Sequence, residues 1–248
     1  MPSPNVIRQW VEGGYYHVYN RGVAKSTIFE RSEDYSTLIS LLQSYLTPKP
    51  RADKMGFDPK DPFWRSKLEK NEVKLLAFAL MPNHFHLLIK QDTEIGITRF
   101  MRRVLTAYVR YFNKKYERVG PLFKSKFKAA RIETDGYLLH LSRYIHLNPL
   151  ELAPRGLTGQ QMFDWIARYE YSSYPVYLKS RSSEWVNEEE ILDYFGGNLG
   201  RFDNVTGYRQ FVESYARQPE NILGSAITLD GPKEKSEYTY SDALRATG

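Results

Sequence analysis

Hydrophobic and polar positions along this 248-residue chain follow two periods, and the switches between them mark the elements. Over 14–22 (GYYHVYNRG) aromatic and polar residues alternate, as in a half-buried strand. Ser32–Leu46 changes to helical spacing, with Tyr35, Leu38, Ile39, Leu42 and Tyr45 on one stripe. Its Ser32-Glu33-Asp34 start suits a helix N-terminus. Residues 47–71 are rich in Pro, Lys and Asp and read as a long loop, with room for a short helix around Trp64. Residues 73–80 and 84–90 read as strands, and the tight Met81-Pro82-Asn83 connection makes them a hairpin.

Residues 97–116 predict an amphipathic helix, with Ile97, Phe100, Met101, Val104, Leu105, Tyr108 and Phe112 on one face and Arg99, Arg102, Arg103 and Arg110 mostly off it. Residues 122–132 read as a strand in which Phe123 and Phe127 face one way and Lys124, Lys126 and Lys128 the other. Asp135–Leu147 reads as a helix stopped by Asn148-Pro149, since proline disfavours α conformation in the residue before it. The order β-α-β-β-α-β-α predicts an α+β fold whose first six elements form a ferredoxin-like split βαβ with an antiparallel sheet. Beyond Pro149, residues 160–169, 187–195 and 207–218 look helical and form a C-terminal helical extension. The expected division is a catalytic domain over 13–150, the extension over 151–219, and a polar tail over 220–248 that is weakly patterned and expected to be partly disordered.

The chain has no cysteine, which excludes disulfides, thiolate zinc sites and cysteine nucleophiles and fits a reducing cytoplasm. No apolar leader opens the sequence, and the longest apolar run, 73–81, is broken by Lys74 and too short to span a bilayer. A soluble cytoplasmic protein without a membrane partner is expected. The net charge of +6 is unevenly spread. Residues 96–131 hold eleven Lys or Arg and one acid, Glu117, so this block carries +10 and the remainder −4. Such a block suggests a polyanion-binding face, although a solvated helix face would look the same by charge alone.

Candidate chemistry centres on Met81-Pro82-Asn83-His84-Phe85-His86-Leu87-Leu88-Ile89. On a strand His84 and His86 share one face, while Phe85, Leu87 and Ile89 share the other and can bury. His140, Tyr144 and Asn148 follow at spacings of four, on one helical face. If that helix packs beside the hairpin, two imidazoles and an amide oxygen make a three-ligand site for a hard or borderline divalent ion, with positions left open. An open-site cation can polarise a phosphodiester, and a nearby phenol oxygen is a candidate nucleophile. The basic block makes DNA or RNA the natural substrate. Each residue also has a plainer role: Asn148 as a helix end, Tyr144 as a packed tyrosine, His140 and His146 as structural or surface residues.

Taken together, His84-Phe85-His86 and, about sixty residues on, Arg143-Tyr144-Ile145-His146-Leu147-Asn148-Pro149 resemble the single-tyrosine HUH transposases of the IS200/IS605 type, and more closely the REP-associated tyrosine transposases. Tyr16-His17-Val18-Tyr19-Asn20-Arg21-Gly22, Phe123-Lys124-Ser125-Lys126-Phe127 and Tyr171-Ser172-Ser173-Tyr174 fit the same pattern. The resemblance implies that His84, His86 and Asn148 bind Mg²⁺ or Mn²⁺. It implies that Tyr144 attacks single-stranded DNA at a hairpin or palindromic repeat, giving a 5′-phosphotyrosine and a 3′-OH, with rejoining as the reverse step. Tyr137 is the second choice of nucleophile. The expected phosphate contacts are Arg99, Arg102, Arg103, Arg110, Lys124, Lys126, Lys128 and Arg131. The resemblance allows a monomer or a homodimer. The alternative is a domesticated DNA- or RNA-binding protein of the same fold without cleavage.

Overall fold

The computed structural model describes residues 10–47, 72–196 and 204–216. Four strands, β1 (Tyr15–Arg21), β2 (Val73–Met81), β3 (His84–Gln91) and β4 (Lys128–Ile132), form one antiparallel sheet in the order β2-β3-β1-β4. With α1 (Ser32–Leu46) between β1 and β2, and α2 (Gly96–Lys115) between β3 and β4, this is the ferredoxin-like split βαβ. Both helices lie against the sheet and pack on each other, the arrangement that right-handed crossovers produce. The opposite face is taken by α3 (Asp135–Leu147).

Local sequence explains the ends that matter. Pro82 and Asn83 form a two-residue turn, since Met81 and His84 pair directly. That turn is tied to the chain after β1 by Gly22 N–H to Asn83 O (2.9 Å) and Ile28 N–H to Pro82 O (2.8 Å). Gly22 is required there: a Cβ would lie 2.1 Å from the Ser26 carbonyl oxygen. At the start of α1 the buried Asp34 carboxylate accepts from the Glu30 and Arg31 amides, which would otherwise be left unpaired.

β2 is an edge strand by order, yet it is buried along nearly its whole length. The extension covers it: Leu80 N–H donates to Tyr171 O, Ser173 N–H to Phe78 O and Asn187 N–H to Leu75 O, at 2.8–2.9 Å. These bonds use the free edge of the sheet, which a solitary domain would leave open to pairing with other chains. The extension holds the short helices α4 (Gln160–Ala167), α5 (Tyr174–Tyr177) and α6 (Glu189–Leu192), then α7 (Asn204–Ala216). α5 has too few residues to register as a helical period, and the sequence reading does not contain it.

One sequence expectation needs correction and another needs refinement. The last strand is shorter than 122–132: only Lys128–Ile132 joins the sheet, and 122–127 is irregular apart from a bridge between Gly22 and Phe123. The reason lies in β1, which ends at Arg21. Between the Tyr19–Lys128 pair and the Gly22–Phe123 bridge, the Asn20 side-chain amide takes the Ser125 carbonyl (3.1 Å) in place of a ladder bond. Phe123 and Phe127 are inside and Lys124 and Lys126 exposed as expected, but strict alternation is lost, since Leu122 is buried and Ser125 exposed. Secondly, the α-helix ends at Leu147 as expected, but Asn148-Pro149 tightens the helical path and does not turn the chain away. Asn148 keeps right-handed helical dihedrals (φ −51°, ψ −41°) and the chain runs on as a 3₁₀ turn, Asn148–Leu152. The Asn148 N–H still bonds Tyr144 O, so only the proline nitrogen lacks its partner. Most of the 47–71 loop, the short helix near Trp64 and the 220–248 tail lie outside the described residues.

Candidate active site

The pleat assembles one wall of the site. Arg21 lies opposite His84 and Tyr19 opposite His86, so Arg21, Tyr19 and His17 of β1 share the face of the two histidines. Lys128 of β4 lies opposite Tyr19 and completes the row, its Nζ 5.7 Å from the Tyr19 ring centre. The other wall is α3. Tyr144 stands edge-on to His86, with ring centroids 5.4 Å apart, and Asn148 Oδ1 is 3.3 Å from His84 Nε2. The helical phase retained through Asn148 is what keeps these two residues on one face. All of these groups belong to a single chain.

The protonation states follow from burial. His84 is held down to about 4 by burial and by the Arg21 charge, against a weaker upward pull from Asn148. His86, fully buried, lies well below the ordinary histidine range through burial and the neighbouring His17, His84 and Arg21. Both imidazoles are therefore neutral at physiological pH. Asn83 Oδ1 sits 2.6 Å from His84 Nδ1 and accepts its proton, so His84 Nε2 turns a lone pair toward the Asn148 oxygen. Two facing lone pairs call for a cation between them. Among the described residues, His86 Nε2 is also buried with no hydrogen-bond partner. An orphaned imidazole nitrogen beside an imidazole–amide pair fits a bound cation. Among the described residues no three His, Cys, Asp or Glu side chains group to hold a metal ion. An ion here would rest on two imidazoles and one amide oxygen and keep several positions open.

Burial pushes the Tyr144 phenol up to about 12, with the Asn148 hydrogen bond and the Arg21 charge pulling it back in part. The phenol is protonated at neutral pH and needs positive charge or a base to become a nucleophile. Tyr137 lies two turns earlier, roughly 10 Å along the axis. Its hydroxyl is buried without a hydrogen-bond partner among the described residues, and burial raises its pKa.

The other histidines divide. His140 and Arg143 contact each other on the flank of α3, and Arg143 lies over the Phe211 ring (4.2 Å). His146 is fully buried and structural. Its Nδ1–H donates to Tyr208 Oη (2.7 Å), whose hydroxyl donates to Ser142 Oγ (3.1 Å), and its Nε2 accepts from Ser173 Oγ (2.7 Å). Ser173 Oγ in turn accepts the Phe78 amide (2.8 Å). This network ties the tyrosine helix to β2, to the Tyr171-Ser172-Ser173-Tyr174 segment and to α7.

The basic residues do not form one surface. Lys128 is on the histidine face. Lys124 and Lys126 are exposed just before β4, and Arg131 opposes Tyr16 and so points to the other side of the sheet. Arg99, Arg102, Arg103 and Arg110 belong to α2, in the layer across the sheet from Tyr144, and Arg99 is paired with Glu72 (2.8 Å). The sequence reading missed three residues of the site: His17, Arg21 and Asn83. Arg21 acts electrostatically on His84, His86 and Tyr144, and its Nε is buried without a hydrogen-bond partner among the described residues. The signal for His17 and Arg21 was available, because alternation puts positions 17, 19 and 21 on one face and the split βαβ order sets β1 beside β3.

Among the described residues no helix is long and apolar enough to cross a membrane. No curated protein matches the sequence. A solved structure described as "Structure of the REP associates tyrosine transposase bound to a REP hairpin" is similar over 71% of this chain and 86% of that one, at 13% identity and a TM-score of 0.45. The family model described as "Transposase IS200 like" matches residues 61–148. His84, His86, Tyr144 and Asn148 all lie within the segment that this family model matches.

Proposed function

We propose that this protein is a metal-dependent single-stranded DNA endonuclease and strand transferase, acting through a 5′-phosphotyrosine on Tyr144. The observation that carries the reading is the Tyr144 ring 5.4 Å from His86, on the same helical face as an Asn148 oxygen 3.3 Å from His84 Nε2. His84, His86 and Asn148 would hold Mg²⁺ or Mn²⁺, which when bound supplies positive charge to polarise the scissile phosphate. Asn83 fixes the His84 ring so that its lone pair faces the site. Arg21 adds a fixed charge that favours both a phosphate and a phenolate. Tyr144 Oη attacks phosphorus and loses its phenolic proton to solvent, and the bond to the 3′ oxygen breaks with its electron pair on that oxygen, which takes a proton from solvent and leaves as a 3′-OH. Attack of a 3′-OH on the phosphotyrosine reverses these changes and needs no external energy source. The catalytic unit would span 13–150, with 151–219 bracing it and 220–248 appended.

Lys128 stands in the path of a strand crossing the histidine face, and Lys124 and Lys126 flank it, so these three are the proposed phosphate contacts nearest the chemistry. A hairpin-forming palindromic repeat, whose flank is single-stranded, is the proposed substrate. The test is cleavage of end-labelled oligonucleotides, single-stranded with a hairpin against fully duplex, with Mg²⁺, Mn²⁺ or EDTA. Cleavage of the hairpin substrate only with metal supports the reading. Tight binding without cleavage under every condition would reduce the protein to a DNA-binding module.

A further inference from the structure

His17 has no part in the chemistry above, yet it is the buried side chain in closest polar contact with a proposed ligand. Its Nε2 lies 2.8 Å from His86 Nδ1, with both residues at most 3% exposed. The two rings are tilted by only 21°, so the N–H of one lies near the plane of the other's lone pair. The Tyr19 ring stacks on His17 at 4.7 Å and limits its rotation. On β1, His17 is directly opposite Leu88, one pleat step from His86, so the contact is a diagonal cross-strand pair that an aromatic ring can reach. Its β4 neighbour is Ala130, which leaves space for the ring.

A hydrogen bond between two neutral imidazoles uses one N–H and one lone pair, and the choice fixes the far side of each ring. If His17 donated, His86 would carry its proton on Nε2, a buried donor with no acceptor among the described residues. A buried donor left unpaired forfeits its hydrogen bond to water without replacement and is disfavoured. If His86 donates from Nδ1, its Nε2 is a bare lone pair, which is the form a metal ion needs. We propose that His17 is a positioning residue that accepts the Nδ1 proton of His86 and so holds His86 in the tautomer that binds a divalent cation. This rests on the reading of His86 as a metal ligand.

The experiment compares wild type, His17→Gln and His17→Phe. The glutamine places an acceptor near the position of Nε2, whereas phenylalanine keeps the shape and removes the acceptor. Long-range ¹H–¹⁵N correlation spectra of metal-free, DNA-free protein, with the His86 signals assigned by their loss in His86→Asn, report the tautomer directly. Electron paramagnetic resonance of free Mn²⁺ gives the affinity. The expected result is the Nδ1–H form of His86 in wild type and in His17→Gln, with Mn²⁺ affinity retained in both. In His17→Phe the Nε2–H form should appear and the affinity fall by roughly 10–100-fold. An Nε2–H form of His86 in wild type overturns the proposal, as does Mn²⁺ binding by His17→Phe that equals wild type. Failure of wild type itself to bind Mn²⁺ would instead sink the metal reading, while the tautomer spectra would still decide the role of His17.

Discussion

His84 Nε2 and Asn148 Oδ1 approach to 3.3 Å across the junction between a strand and the end of a helix sixty-four residues later in the chain. The contact joins two acceptors, since the other nitrogen of His84 gives its proton to Asn83. If a cation belongs between them, Asn148→Ala should weaken Mn²⁺ binding by roughly tenfold or more, in the range seen when metal-site residues are removed. Asn148→Asp, with a formal charge at the same point, should bind at least as tightly as wild type, because hard cations favour carboxylate oxygen. Titration followed by the resonance of free Mn²⁺ checks both, and equal affinity in all three proteins would remove Asn148 from the ligand set.

The placement of the basic residues separates two surfaces that net charge alone merges. A strand lying on the histidine face passes Lys128 and the adjacent Lys126, whereas Arg102 and Arg110 sit in the helical layer across the sheet. Lys126→Glu with Lys128→Glu should weaken single-stranded DNA binding and flatten the dependence of log K on log salt. Arg102→Ala with Arg110→Ala should leave both within about twofold, since phosphates outside contact contribute little to the slope. Fluorescence anisotropy over a salt series reads the difference. The reverse pattern would place the DNA on the α2 side.

Arg21 should act on the chemistry more than on binding. It touches the site through its charge and an unpartnered Nε. Arg21→Ala should lower the single-turnover cleavage rate by about 10²–10³-fold, as expected for loss of a donor to a developing anion. The Kd for uncleaved DNA should move far less. Equal losses in rate and affinity would make Arg21 an ordinary phosphate contact.

The extension is expected to hold the tyrosine helix in place. Tyr208→Phe deletes the hydroxyl that accepts from His146 and donates to Ser142, all three buried. Stranding a buried imidazole donor should cost about 1–3 kcal/mol, or roughly 2–10 °C in Tm by calorimetry. No change in Tm would mean that the network is dispensable for the fold.

Asp34 gives a pH signature remote from the site. Burial raises its pKa, but hydrogen bonds from Lys115, Tyr116, the Arg31 amide and Tyr111 outweigh this and bring it down to about 2. A depressed carboxylate contributes stability that is complete above its unfolded pKa, about 3.9, and is lost as pH falls toward the folded value. Wild-type Tm should therefore drop between about pH 4 and pH 2 more steeply than that of Asp34→Asn. Parallel curves for the two proteins would deny Asp34 this role.

Much of this arrangement was legible before any coordinates. The alternation at 84–90 and the helical stripe at 135–147 put His84 with His86 and Tyr144 with Asn148, because each pair is set by local geometry. The sheet order also follows from the sequence of element types. What was not legible depends on long-range pairing. His17 meets His86 only because β1 and β3 are neighbours in a particular register, and Arg21 becomes a site residue for the same reason. The irregular 122–127 segment reads as strand because lysines at 124 and 126 alternate in position with phenylalanines at 123 and 127, although an asparagine side chain has taken the backbone partner and Leu122 and Phe123 are both buried. Asn148-Pro149 reads as a stop and the α-helix does end at Leu147; the 3₁₀ turn that follows was not legible, because it runs against the local preference of the residue before a proline.

The most direct test of the account is to isolate the covalent intermediate and locate it. Protein incubated with Mn²⁺ and a hairpin oligonucleotide that carries a single-stranded flank is denatured, digested and sequenced by mass spectrometry. The account predicts a nucleotide phosphate on the peptide containing Tyr144, absent in Tyr144→Phe and with EDTA but retained in Tyr137→Phe. An adduct on Tyr137, or one that persists in Tyr144→Phe, would contradict it.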